Sequence, residues 1–146
     1  LAFGPGETPT LAASNSDLTG LWHDAGRPTG KTPRGPNHHV RSGRGVAAMD
    51  FTPDGMRFAS ITCRDAAIRD AATGKLVCEL DRPPGNHRGA VRFSPDGKRL
   101  ALARGKFVDV RSVADPEDDT ITIQAGTGRN PAVWAVGWSR DGRVLM

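Results

Sequence analysis

At 146 residues, with 20 Lys and Arg against 16 Asp and Glu and a formal charge of +4, the chain is sized for one ordinary domain with a mild basic excess. The basic residues are dispersed, none form a run interleaved with aromatics, and Tyr is absent, so no nucleic-acid partner is expected. No apolar run approaches membrane-spanning length, which leaves no membrane partner, and 18 glycines with 11 prolines interrupt any long helix.

Taken in chain order, the elements repeat. The chain opens with an apolar Leu1-Ala2-Phe3 and a faint turn phrase, FGPGE. A strand is expected over Thr19 to Trp22, then an irregular Pro/Gly/His-rich connection from Pro28 to Arg44. Val46, Met49 and Phe51 lead into FTPDG, and Phe58-Ala59-Ser60-Ile61 leads out of it. Further strands follow at Ala66 to Arg69 and, after the turn Ala71-Ala72-Thr73-Gly74, at Lys75 to Leu80. The next unit runs through FSPDG from Phe93, Leu100 to Ala103, Phe107 to Arg111 and the β-branched alternation Thr120 to Gln124. A last unit begins with Val133, Val136 and Trp138 before WSRDG.

In each turn phrase the proline presets one backbone angle, the aspartate bonds local backbone and the glycine accepts positive φ, which predicts a tight hairpin. The WSRDG copy has Arg140 in place of the proline. The strands after the turns are nearly continuous apolar runs, as suits a strand covered on both faces. The aromatic lead positions 3, 51, 93 and 138 stand 48, 42 and 45 residues apart, a period of one four-stranded propeller blade. The expected fold class is therefore all-β: a partial β-propeller of about three four-stranded antiparallel blades plus the start of another. Blades are expected at 1–45, 46–85 and 86–127, with an incomplete one at 128–146. A ring usually needs at least four blades, so the sequence reads as a fragment of a longer chain. Its uncovered blade faces are expected to meet the missing blades of that chain or to drive self-association.

These residues resemble the bacterial WD-repeat propellers, which carry FSPDGKRLA-like and DAATGKL-like phrases. The resemblance rests on Val133 to Gly142, Phe93 to Ala101 and Asp70 to Leu76. The Trp-Asp dipeptide that names the family is intact nowhere: Trp22-His23, Arg69-Asp70 and Arg111-Ser112 stand at its positions. Gly128-Arg129 stands where a Gly-His pair is usual. The resemblance implies a non-catalytic protein-interaction scaffold, often part of a larger signalling or regulatory protein, and a cytoplasmic setting. The alternatives are a periplasmic Tol-system-type propeller and the propeller of a quinoprotein or hydrolase. Asp70 to Lys75 argues against the first, and the second needs polar residues lining the channel from the first strands.

No catalytic residue, metal ligand or cofactor is expected. Gly26 to Thr32 imitates a phosphate-binding loop but has three residues between its glycines where four are required. Asp115 to Asp119 lacks the alternating ligand spacing of a calcium loop, and His38-His39 has no second ligand at a fixed spacing. Asp54, Asp96 and Asp141 recur at equivalent turns of successive blades, so they cannot converge on one substrate. Cys63 and Cys78 form no paired-cysteine motif and suit buried thiols. The family's partners commonly use the rim opposite the Pro-Asp-Gly turns. There the expected partner-binding residues are Arg44, Arg64, Arg88, Arg104, Arg129 and Asn130, their guanidinium forks suited to an acidic protein face.

Overall fold

The computed structural model describes residues 2–5, 11–14, 18–22, 38–41, 46–62, 65–80, 89–115, 120–125, 127, 132–143 and 145. Among these, every regular element is a strand. The first sheet holds β1 (Ala2–Phe3), β2 (Leu11–Ser14), β3 (Leu18–Trp22) and β4 (His38–Arg41). The second holds β5 (Val46–Phe51), β6 (Arg57–Thr62), β7 (Ala66–Asp70) and β8 (Leu76–Leu80). The third holds β9 (Val91–Phe93), β10 (Arg99–Arg104), β11 (Phe107–Ser112) and β12 (Thr120–Gln124). Each is an antiparallel meander whose strands lie in chain order. This is a partial β-propeller, as the period and the turn chemistry predict. One strand falls where an irregular connection was expected. His38-His39-Val40-Arg41 pairs with Leu18 to Leu21, a short segment that the surrounding glycines and prolines hide from any alternation test.

The repeat is exact in register. Phe3 stands opposite Leu11, Phe51 opposite Phe58, Phe93 opposite Leu100, and a single bridge sets Trp138 opposite Leu145. The last pair shows that a fourth sheet begins on the same plan. Contacts between sheets concentrate on the first strands, β1 against β5 and β5 against β9, so the sheets fan outward from that edge.

Alternation then assigns each sheet's two faces. Phe51, Phe58 and Met49 point back to the first sheet and form one cluster with its Ala12 and Leu21 and with Ala71 of their own unit. The Phe51 and Phe58 rings lie 5.7 Å apart and tilted by 44°, a favourable aromatic geometry. Ala59, Ile61, Ala66, Ile68 and Leu80 point forward and meet Val91, Phe93, Leu100 and Leu102 of the third sheet. Ala101, Ala103 and Val108 in turn meet Val136. The near-continuous apolar runs of β6 and β10 follow from this, since each middle strand is buried from both sides.

Candidate functional site

Two rims result, and their chemistry differs. On one, the three Asp-Gly turns are copies of each other. Thr52 Oγ1 donates to Asp54 Oδ1 at 2.6 Å, as Ser94 Oγ does to Asp96 and Ser139 Oγ to Asp141 at the same distance. The same carboxylate oxygen accepts the backbone N–H two residues on, from Met56, Lys98 and Arg143. Gly55, Gly97 and Gly142 hold φ near +70° and close the turns onto the carbonyls of Thr52, Ser94 and Ser139. Donation from the hydroxyl, then from the backbone amide, holds each of these carboxyls below the usual carboxylate range. Asp70 is lowered for the same reason, by the Thr73 hydroxyl and amide.

Successive turns also touch. A Cβ at Gly97 would stand 3.2 Å from Pro53 Cδ, one at Gly55 would stand 3.3 Å from the Pro5 carbonyl oxygen, and one at Gly142 would stand 3.6 Å from Pro95 Cδ. Arg99 Nη2 donates to the Gly142 carbonyl at 2.6 Å, and its guanidinium lies 5.0 Å from the Trp138 ring centroid. Trp138 Nε1 donates to the Arg92 carbonyl. One sheet earlier, Asp50 Oδ2 accepts from Phe93 N at 2.8 Å and Asp50 Oδ1 lies 3.5 Å from Arg92 Nη1. Burial pushes the Asp50 carboxyl up, only partly offset by that amide and that arginine. The turn aspartates are thus structural latches, each engaged within its own turn, while Asp50 ties its sheet to the next.

The opposite rim carries the β6–β7 and β10–β11 turns. In the first, Thr62 Oγ1 donates to Asp65 Oδ1 at 2.7 Å. The second is the two-residue turn Gly105-Lys106, with Gly105 at φ 61°. Both of its carbonyls are used: Val133 N donates to Gly105 O and Ala125 N to Lys106 O. Of the residues expected to bind a partner, Arg44, Arg64, Arg88, Arg129 and Asn130 lie outside the described residues. Arg104 lies within them, and its fork is turned inward. Its Nε and Nη2 donate to the two carboxylate oxygens of Asp109, and its guanidinium sits 5.8 Å from the Phe107 ring centroid.

Asp109 is fully buried, and it ties three strands together. Arg104 reaches it from β10, Thr122 Oγ1 from β12 at 2.8 Å, and Arg111 Nη2 stands 3.7 Å away on its own strand. A carboxylate taken out of water requires such compensation. Sequence reasoning did not single out Asp109. The signal was present, since Asp109 is flanked by Val108 and Val110 on an expected strand with arginines nearby.

A second residue missed by the sequence reading is Trp134, which is 66% exposed. The β5–β6 register slips between Val46 and Ala48, leaving Ala47 as a bulge on the inner strand, and Ala47 is exposed. Trp134 precedes Trp138 as Ala47 precedes Phe51, so it occupies the equivalent place on the approach to the fourth sheet. Lys106 is exposed on the same rim, its Nζ 5.1 Å from the Phe107 ring centroid.

No family model matches the chain. Over 101 residues, 69% of the chain, it is 29% identical to an uncharacterized WD repeat-containing protein of Synechocystis sp.. The match covers 28% of that relative, so the chain spans well under half the length of the curated protein it resembles. The chain is thus an all-β protein of repeated sheets in common register, similar over two thirds of its length to a WD repeat-containing protein.

Proposed function

We propose that the chain is a non-catalytic protein-interaction scaffold, part of a larger signalling or regulatory protein. Its partner surface is the rim of the β6–β7 and β10–β11 turns. The observation that carries this reading is Trp134, a large exposed aromatic that follows Val133, whose N–H is bonded to the carbonyl of Gly105 in the turn that displays the exposed Lys106. Tryptophan supplies wide contact area at little entropic cost and is enriched at binding hot spots. The lysine favours a partner whose face is acidic. The aspartates of the other rim are engaged within their turns, and Asp109 with its arginines, which supports a surface that binds rather than reacts.

Affinity enrichment from a lysate of the source organism tests this, using the wild-type chain, Trp134→Ala with Lys106→Glu, and Met56→Ala. Met56 is 68% exposed on the opposite rim and serves as the control. Proteins retained by the wild type should be lost with the Trp134/Lys106 double variant and kept by Met56→Ala. Retention by the double variant, or loss with Met56→Ala alone, overturns the assignment of the rim.

A further inference from the structure

The third sheet ends on β12, which among the described strands pairs with β11 alone. Ala125 N–H donates to the Lys106 carbonyl at 2.9 Å, and alternation along an antiparallel ladder makes Val108 with Ile123 and Val110 with Ile121 the next bonded pairs. The backbone N–H and C=O of Thr122 and Gln124 therefore point away from β11, along the outer edge of the sheet. All five residues of β12 are exposed, and Ile121 and Ile123, which share one face, are 61% and 42% so.

The second sheet shows how this chain guards such an edge. Counted from the equivalent pairs Phe58 with Arg69 and Leu100 with Arg111, Ala67 corresponds to Asp109. Ala67 stands opposite Glu79 as Asp109 stands opposite Thr122, so the exposed Glu79 is the counterpart of Thr122 on the outer strand β8. A charge at that place, and the slip in β7–β8 register between Ile68 and Arg69, both keep an open strand from pairing. β12 has neither guard. Its register with β11 is unbroken, and Thr120-Ile121-Thr122-Ile123-Gln124 carries no charge, proline or glycine. The segment is also its own complement, since Ile121-Thr122-Ile123 reads the same in both directions.

We propose that β12 pairs with β12 of a second copy, antiparallel about Thr122, joining two four-stranded sheets into one. Each outward-turned Thr122 exchanges both N–H···O bonds with its counterpart across the two-fold axis. Ile121 then lies against Ile123 of the second copy at a non-hydrogen-bonded position, where side chains approach most closely, and the isoleucines of both copies form one apolar stripe on a single face. The contact is edge to edge. It leaves the flat faces of the sheets and the rim of Trp134 and Lys106 untouched, so it goes beyond the scaffold reading by making the scaffold bivalent.

Sedimentation equilibrium on the wild-type chain and three variants tests this, with circular dichroism confirming that each variant folds. A five-residue strand gives an interface at the small end of the size range, so the wild type should dimerise with a Kd of about 10 to 100 µM. Ile121→Lys with Ile123→Lys sets lysine against lysine on both sides of the axis and should weaken the dimer about tenfold or more. Ile121→Glu with Ile123→Lys sets glutamate against lysine at the same places and should stay within about threefold of the wild type. Gln124→Pro removes an outward N–H that β11 does not use, and should weaken the dimer about tenfold while the monomer keeps its fold. A wild type that is still monomeric at about 500 µM overturns the proposal, as does a dimer that the lysine pair or Gln124→Pro leaves intact, since the copies then meet elsewhere. Equal weakening by the Lys/Lys and Glu/Lys variants overturns the register about Thr122 and the proposal with it.

Discussion

Asp109 concentrates the electrostatics of the third sheet in one side chain. Its carboxylate is inaccessible to water and holds two arginines and a threonine from three strands, so removing it leaves Arg104 and Arg111 facing each other without their counter-charge. Breaking a buried pair from one side costs about 3 to 5 kcal/mol, more than the pair itself adds over an apolar replacement. Asp109→Ala is accordingly expected to lower the unfolding free energy, measured by urea denaturation, by that amount, and Thr122→Val, which deletes one hydrogen bond to a charged acceptor, by about 1.5 kcal/mol. The gradation between the two is the useful outcome. Equal, small losses in both would mean that water already solvates the carboxylate. Arg104 illustrates why its role was illegible in the sequence. A loop-adjacent arginine looks like an exposed fork, and only the register that sets Leu102 opposite Asp109 reveals what the fork meets.

At the scale of the element, the Asp-Gly hairpin is the repeated unit of order, and its acid response is fixed by its hydrogen bonds. Asp54, Asp96 and Asp141 each accept a hydroxyl and a backbone amide, so they titrate lower folded than unfolded. Their contribution is complete above the ordinary carboxylate range and is lost as pH falls through the lowered values. Asp50 has the opposite sign. Burial raises its carboxyl, so its contribution is greatest below the ordinary range and declines as pH rises through the raised value. With Asp70 a fourth lowered carboxyl, against one raised, net acid destabilisation is expected. Asp54→Asn, Asp96→Asn and Asp141→Asn combined should reduce the melting temperature at neutral pH and make its decline below the carboxylate range shallower, as followed by circular dichroism. A wild-type acid slope in the triple variant would show that the turns are not its origin. These turns were legible in the sequence because proline, aspartate and glycine act locally, within five residues. The strand β4 was not, because nothing within His38 to Arg41 marks it and its pairing with β3 is set by the sheet.

For the molecule as a whole, each sheet buries its faces only against its neighbours, so stability is distributed along a line rather than around one centre. The second sheet is covered by the first and the third, and the fully buried Phe58, Ile61 and Ile68 mark where protection is greatest. The third sheet is largely buried through β10 and β11, with every residue of β12 exposed. The fourth begins with a single bridge. The modular period made this arrangement legible from the sequence. The degree of cover on each face was not, since it depends on which neighbours are present and how far outward they reach. Native-state hydrogen exchange should therefore grade along the chain, slowest at β6 and β7, intermediate at β10 and β11, and fastest at β12 and around Trp138 to Leu145. Opening of the last segment should carry β12 with little effect on β6. A single exchange free energy shared by β6 and β12 would instead mean that the sheets unfold as one cooperative body, and the linear coupling between neighbouring sheets would have to be abandoned.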